Sequence, residues 1–225
     1  MVLRLLQSTL KNKVQVIYNM FNKIFILSVS LLYGVAFADD CIKYKNVPNI
    51  NILNPSYTKS VTQPDEPMNK LHGNVLATLV QDFDIVVDIV AKDTGYCVTL
   101  KKLDASIGYS NFEIKIDKSH IRGSCSYNAI LGHEDKHINA YLSVMKDMMS
   151  DIKNSVFNAT NSIMPVFVES REDIELVIEK MNNEIQSHPE VILLKQKINA
   201  AQEIRNKRVD QNEDNSELKR CFLGN

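Results

Sequence analysis

Over residues 71–117 β-branched and aromatic side chains become frequent, and turn-forming residues recur between apolar runs. That pattern is the signature of strands. Turn-forming residues at Gln81-Asp82, at Lys92-Asp93-Thr94-Gly95 and over 104–108 divide the stretch into 71–80, 83–90, 96–103 and 107–117. These segments predict three or four antiparallel strands. Apolar and polar residues alternate over 111–117 (NFEIKID), as in a half-buried or edge strand. Beyond Ser124 the period lengthens, and up to Phe222 there is one glycine, Gly132, and two prolines, Pro165 and Pro189. That punctuation predicts helices over 124–161, 169–187 and 189–212, with starts near Ser170-Asp173 and at Ser187 ahead of Pro189. Upstream, 43–70 holds four of the six prolines (Pro48, Pro55, Pro64, Pro67) and no period, which predicts an extended lead-in. The charged tail, 205–220, is expected to fray except where Cys221 pins it. The pattern therefore predicts an α+β fold, a small antiparallel β-sheet followed by one long helix and further helices.

The amino-terminal segment has a different character. Lys23 precedes a 14-residue apolar stretch, 24–37 (IFILSVSLLYGVAF), and Ala36-Phe37-Ala38 has the small-x-small form of a signal-peptidase site. The stretch is shorter than the roughly 20 residues of a membrane-spanning helix. Residues 1–38 are thus expected to act as a signal peptide, with a mature chain that begins at Asp39 and keeps no membrane span. Residues 1–19 lengthen the basic region beyond what export requires, and Met20 is the more ordinary start. The expected organisation is 1–38 signal, 39–70 lead-in and 71–223 a single α+β domain, in a secreted or periplasmic protein.

Composition sharpens this picture. The formal net charge is −1, from 26 Lys+Arg against 27 Asp+Glu. Arg4, Lys11, Lys13 and Lys23 lie in the first 38 residues, where there is no acid, so the remainder has 22 bases against 27 acids and a net of −5. An acidic body without a long basic run argues against a nucleic-acid binder. Four cysteines, Cys41, Cys97, Cys125 and Cys221, all follow the signal, and an even number in an exported chain implies two disulfides with three pairings open. Of these, Cys97–Cys125 with Cys41–Cys221 is favoured, stapling a strand to a helix start and tying the ends.

One motif carries chemistry. His133-Glu134-Asp135-Lys136-His137 matches H-E-x-x-H inside the first predicted helix. Histidines four apart on a helix emerge from one face, spaced to reach a single Zn²⁺. Glu134 follows the first ligand, and its carboxylate is placed to take a proton from a metal-activated water as general base. With five histidines and twelve glutamates, chance would produce the pattern about 0.6% of the time. Against it stands the reading of two inert core histidines, because Ile130, His133, His137, Tyr141 and Met148 share one helical stripe.

At these residues the chain resembles the zincin metallopeptidases, and more narrowly the predicted secreted zinc-dependent proteases of bacteria. The resemblance covers 124–141 closely and 111–117 in architecture only, where zincins place a substrate-pairing edge strand. It implies a zincin-like fold, His133 and His137 as metal ligands, Glu134 as catalytic base, Zn²⁺ as cofactor and a peptide or protein substrate. Ala140 and Ser143 stand where the metzincin extension requires glycine and histidine or aspartate, which excludes that subclass and reduces Met164-Pro165 to a helix breaker. Asn139 departs from the aspartate of the nearest group. The third ligand stays open: His188 and Glu190 come level with the motif if the next helix returns antiparallel, Glu169, Glu172 and Glu175 if the first helix ends near Ser150, and His120 lies just upstream. Two functions therefore compete, a secreted zinc peptidase and a non-catalytic envelope protein with a coincidental H-E-x-x-H.

Overall fold

The computed structural model describes residues 41–68, 72–212, 220 and 221. The expected signal segment, 1–38, lies outside the described residues. The fold is mixed α/β. Its strands are β1 (Asn49–Leu53), β2 (Thr58–Thr62), β3 (Gly73–Lys92), β4 (Gly95–Ile116) and β5 (Val166–Val168). Its helices are α1 (Cys125–Asp147), α2 (Met149–Ser162), α3 (Ile174–Gln186) and α4 (Pro189–Asn212), with a 3₁₀ turn at Arg171–Asp173.

The sheet is organised around β4. Strand β1 pairs with it in parallel, Asn49 opposite Lys102 through Leu53 opposite Ser106. Strand β2 does the same further along, Thr58 opposite Asn111 through Thr62 opposite Lys115. Strand β5 is antiparallel to β4, Tyr96 opposite Val168, and β3 pairs with β4 across the two-residue link Asp93-Thr94. The expected antiparallel sheet is therefore corrected: two short strands from the proline-rich lead-in run parallel to β4. Over 111–116 buried positions alternate with half-buried ones, as expected of a half-buried strand, but the stretch is not an edge, since β2 covers it, with Thr58 Oγ1 donating to Asn111 Oδ1 at 2.9 Å and Thr62 Oγ1 to Glu113 Oε1 at 3.0 Å.

The expected breaks at Gln81-Asp82 and 104–108 are strand interior. Asp82 is exposed, so β3 carries a turn-favouring residue at no packing cost. Asp104 accepts from Lys102 Nζ at 2.6 Å, which lowers its pKa. Gly108 marks a close approach, because a Cβ there would lie 2.8 Å from Pro55 Cδ.

The chain forms two compact units. Among the described residues, the smaller, 41–46 with 88–99 and 164–174, holds the β5 ladder, the Cys41–Cys97 disulfide, and Lys92 Nζ over the Tyr44 ring at 4.6 Å. The larger, 47–68 and 72–87 with 100–163, 175–212, 220 and 221, holds most of the sheet, α1, α2 and α4, and the Cys125–Cys221 disulfide. Its core joins Leu103, Ile107, Phe112, Ile114 and Ile116 of β4 to Ile130, Ile138, Ile152, Val156, Leu194 and Ile198 of the helices. Both cysteine pairs differ from the favoured Cys97–Cys125 and Cys41–Cys221, because each closes within one unit. Two disulfides accord with an oxidising compartment, and among the described residues no helix is long and apolar enough to cross a membrane.

The region expected to be one helix, 124–161, is two, α1 and α2, meeting at Met148, whose N–H reaches the carbonyls of Val144 and Lys146. Helix α4 packs along both. Asn158 Nδ2 donates to Glu190 Oε2 at 2.8 Å near one end, and Arg205 donates to Ser143 and Asp147 further along. The tail expected to fray from Arg205 is ordered helix through Asn212.

Candidate metal centre

Ser124 caps α1 by accepting from Tyr127 N at 3.2 Å. The buried stripe of that helix is Tyr127, Ile130, Glu134, Ile138 and Met145, and Tyr141 joins it on β4 through ring contacts with Tyr109 at 5.1 Å and Phe112 at 6.0 Å. Burial pushes the Tyr109 hydroxyl well above its ordinary pKa, reinforced by Tyr141. His133 and His137 lie one position off this stripe, half-buried. The expectation that the histidines share the core stripe is thus corrected, because it is the glutamate that faces the core.

Glu134 is 4% exposed, and its carboxylate lies against the first residue of β3. A Cβ at Gly73 would sit 2.5 Å from Glu134 Oε1 and 2.6 Å from Ile130 Cγ2, so only glycine leaves room for this side chain. Burying a carboxylate is costly where a leucine would not be, and such positions are enriched in functional sites.

The two imidazoles face α4. Their Nε2 atoms are 3.0 Å apart, with ring planes at 86°. Asp210 Oδ1, from the last turns of α4, is 3.1 Å from His137 Nε2 and 3.5 Å from His133 Nε2. Donors held 2.0–2.1 Å from a tetrahedral ion are about 3.3 Å apart, so these three separations match the edges of one face of a coordination tetrahedron. His133, His137 and Asp210 can hold a metal ion. Asn206, one turn before Asp210, places Oδ1 3.1 Å from His137 Nδ1. An acceptor there fixes the proton on Nδ1 and leaves the Nε2 lone pair for a ligand bond. The Asp210 side chain is 60% exposed against 19% and 13% for the histidines, so the cluster reaches solvent on its Asp210 side. Asp135, between the two histidines, pairs with Lys59 Nζ of β2 at 2.5 Å and ties the motif helix to the sheet.

The third member, Asp210, is not among the six residues expected, and none of those six joins the cluster. Glu190 is engaged with Asn158, while His188 Nδ1 accepts from Glu190 N at 3.4 Å at the start of α4. Glu175 lies in the first turn of α3. Glu172 follows Ser170, which accepts from its N–H at 3.2 Å, and Glu169 precedes that capping residue. His120 is buried and turned to other partners: its Nε2 meets His72 Nδ1 at 3.0 Å and its Nδ1 meets Ser126 Oγ at 3.1 Å. The expectation that His188 and Glu190 come level with the motif assumed that the next helix returns directly antiparallel. In the fold β5 and α3 intervene, and the helix that returns along α1 puts Asn206 and Asp210 there instead. A signal for them does exist in the sequence. Leu194, Ile198 and Gln202 form the buried face of α4, and steps of four continue it to Asn206 and Asp210, so the face turns polar where it meets the polar motif.

Comparison with family models, with curated proteins and with solved structures gives no match.

Proposed function

We propose that this chain is a secreted or periplasmic zinc-dependent hydrolase that cleaves peptide bonds. The observation that carries the reading is the convergence of His133 Nε2, His137 Nε2 and Asp210 Oδ1 at 3.0–3.5 Å from one another on a solvent-facing side of the α1–α4 pair. Two imidazoles and a carboxylate with an open fourth position is the donor set of catalytic rather than structural zinc sites. When bound, zinc lowers the pKa of a coordinated water towards about 7 and polarises a carbonyl. The residues of the chain divide the remaining work. His133, His137 and Asp210 would hold the ion, and Asn206 holds His137 in the tautomer that leaves Nε2 available. Glu134 takes the proton of the attacking water and passes it to the amine that leaves as the peptide C–N bond breaks.

A second reading, a non-catalytic envelope protein with a coincidental H-E-x-x-H, draws on the burial of Glu134 against Gly73. The two separate cleanly by experiment. Under the first, mature protein dialysed free of loose metal holds about one zinc per chain by elemental analysis and hydrolyses a peptide library, and chelation stops the hydrolysis. Absence of bound metal from the parent protein, or zinc without any hydrolysis, removes the first and favours the second.

A further inference from the structure

Beside the proposed zinc cluster, α1 and α4 leave an open groove of about 640 Å³. Lys136, Arg205 and Arg208 line it together with Asn139 and Ser143, and among the described residues no acidic one does. Three cations gathered in one groove stand out on a body whose net charge after the first 38 residues is −5. Ala140 and Val209 give the groove an apolar patch that can receive the methylenes of a side chain.

The groove and the cluster are contiguous in sequence on both helices. Lys136 directly precedes the ligand His137, and Val209 directly precedes the ligand Asp210. From Lys136 to Ser143 the groove extends about 10 Å along α1, the length of three residues of extended peptide. Arg205 is held in place by Ser143 Oγ and Asp147 Oδ2, so its guanidinium is positioned before any ligand arrives. Asp147 offsets part of that charge, which leaves Arg208 as a second source of positive potential in the groove. A planar guanidinium fork beside a second cation suits a carboxylate.

We propose that this groove is the subsite for a carboxylate of the substrate peptide, two or three residues from the scissile bond. The carboxylate comes either from a glutamate or aspartate side chain or from the peptide's own carboxyl terminus. The proposal rests on the hydrolase reading for its meaning but is tested by binding alone.

The probes are fluorescein-labelled octapeptides of one neutral sequence in three forms: amidated and neutral, amidated with one internal glutamate, and neutral with a free carboxyl terminus. Anisotropy titrations use full-length mature protein carrying Glu134→Gln, both zinc-loaded and chelator-stripped. At least one carboxylate form binds tenfold or more tighter than the neutral amide, and the margin shrinks as salt rises. Preference for the internal glutamate identifies a side-chain subsite, whereas preference for the free terminus identifies a carboxyl-terminal one. Arg208→Glu removes the margin at unchanged zinc content and transfers it to a peptide with lysine in place of glutamate. Arg208→Gln removes it without the transfer, which covers failure of the reversed charge to fold. Equal affinity for all three peptides, or a margin untouched in both variants, overturns the proposal. A margin kept by protein that neither binds zinc nor hydrolyses peptide leaves the groove standing and sinks the hydrolase reading instead.

Discussion

Two histidine pairs lie in the larger unit, each with a closest nitrogen–nitrogen separation of 3.0 Å: His133 with His137, and His72 with His120. Separation therefore does not distinguish them. What differs is what surrounds the nitrogens. In the first pair both Nε2 atoms point to one place, Asp210 brings an oxygen to the same place, and Asn206 occupies the far nitrogen of His137. In the second, Nδ1 of one ring meets Nε2 of the other, and the far nitrogen of His120 is taken by Ser126, which also contacts the capping Ser124 at 3.2 Å. The nearest carboxylate there, Asp117, spends its oxygens on the N–H groups of Met68 and Ser119, each at 2.8 Å. One pair belongs to a group that could hold a metal ion. The other is a hydrogen-bonded chain that runs into the amino-terminal cap of the same helix.

The largest expected effect breaks the comparison at the motif. Glu134→Gln keeps the shape of the side chain but cannot take a proton, so peptide hydrolysis falls by about 10²–10⁴-fold while zinc stays bound. Next comes metal affinity. His133→Ala, His137→Ala and Asp210→Ala should each weaken zinc binding by more than the roughly 10–100-fold expected of Asn206→Ala, which acts through His137. His72→Ala should leave zinc binding unchanged. Titration against a chromophoric chelator reads all five, and a zinc affinity in Asp210→Ala equal to the parent's would show that the carboxylate is only a neighbour of the ion.

A smaller effect is expected at Gly73, which neither pair includes. Gly73→Ala forces a methyl to within 2.5 Å of Glu134 Oε1 and 2.6 Å of Ile130 Cγ2. Overpacking of this kind costs about 1–3 kcal/mol, which denaturant unfolding can resolve. If Glu134 is the base, hydrolysis should fall by more than the lost stability accounts for, with zinc content preserved. Equal losses of activity and of folded protein would assign Gly73 to packing alone.

These residues also show what the sequence makes legible. The motif was readable because both histidines and the glutamate sit within five residues of one helix, where periodicity alone sets their directions. Asp210 was not, because its level opposite His133 depends on the helix break at Met148 and on the β5 and α3 segments between α2 and α4. Strand content was readable over 73–116, but not its division, since Asp82 and Asp104 are turn residues carried inside strands by solvent and by Lys102. The parallel strands β1 and β2 were missed for a related reason. They are short, polar and set among prolines, and pairing with β4 gives them an order that their own composition does not supply. The cysteine pairing likewise depends on which segments fold into one unit.

The smallest expected effect belongs to the second pair and appears in the pH dependence of stability. Burial first, then the neighbouring His72, lowers the pKa of His120 below 6.5, while Asp117 opposes the shift. In the unfolded chain His120 takes its proton near 6.5. Above that value neither state binds the proton and the contribution to stability is constant. As pH falls below 6.5 the unfolded state gains the proton first, so stability declines until His120 in the fold is protonated as well. Asp117 acts in a separate window. Hydrogen bonds from Ser119 and Met68 hold its pKa at about 2 against 3.8, so its stabilisation persists above 3.8 and is lost only as pH falls from there towards 2. Melting temperatures measured between pH 7 and 4.5 should therefore decline more in the parent than in His120→Gln, which cannot titrate. His188→Gln, at the start of α4, serves as the control and should follow the parent. An identical decline in His120→Gln would show that the buried histidine adds nothing to acid sensitivity, and would leave the two pairs distinguished by the carboxylate of Asp210 alone.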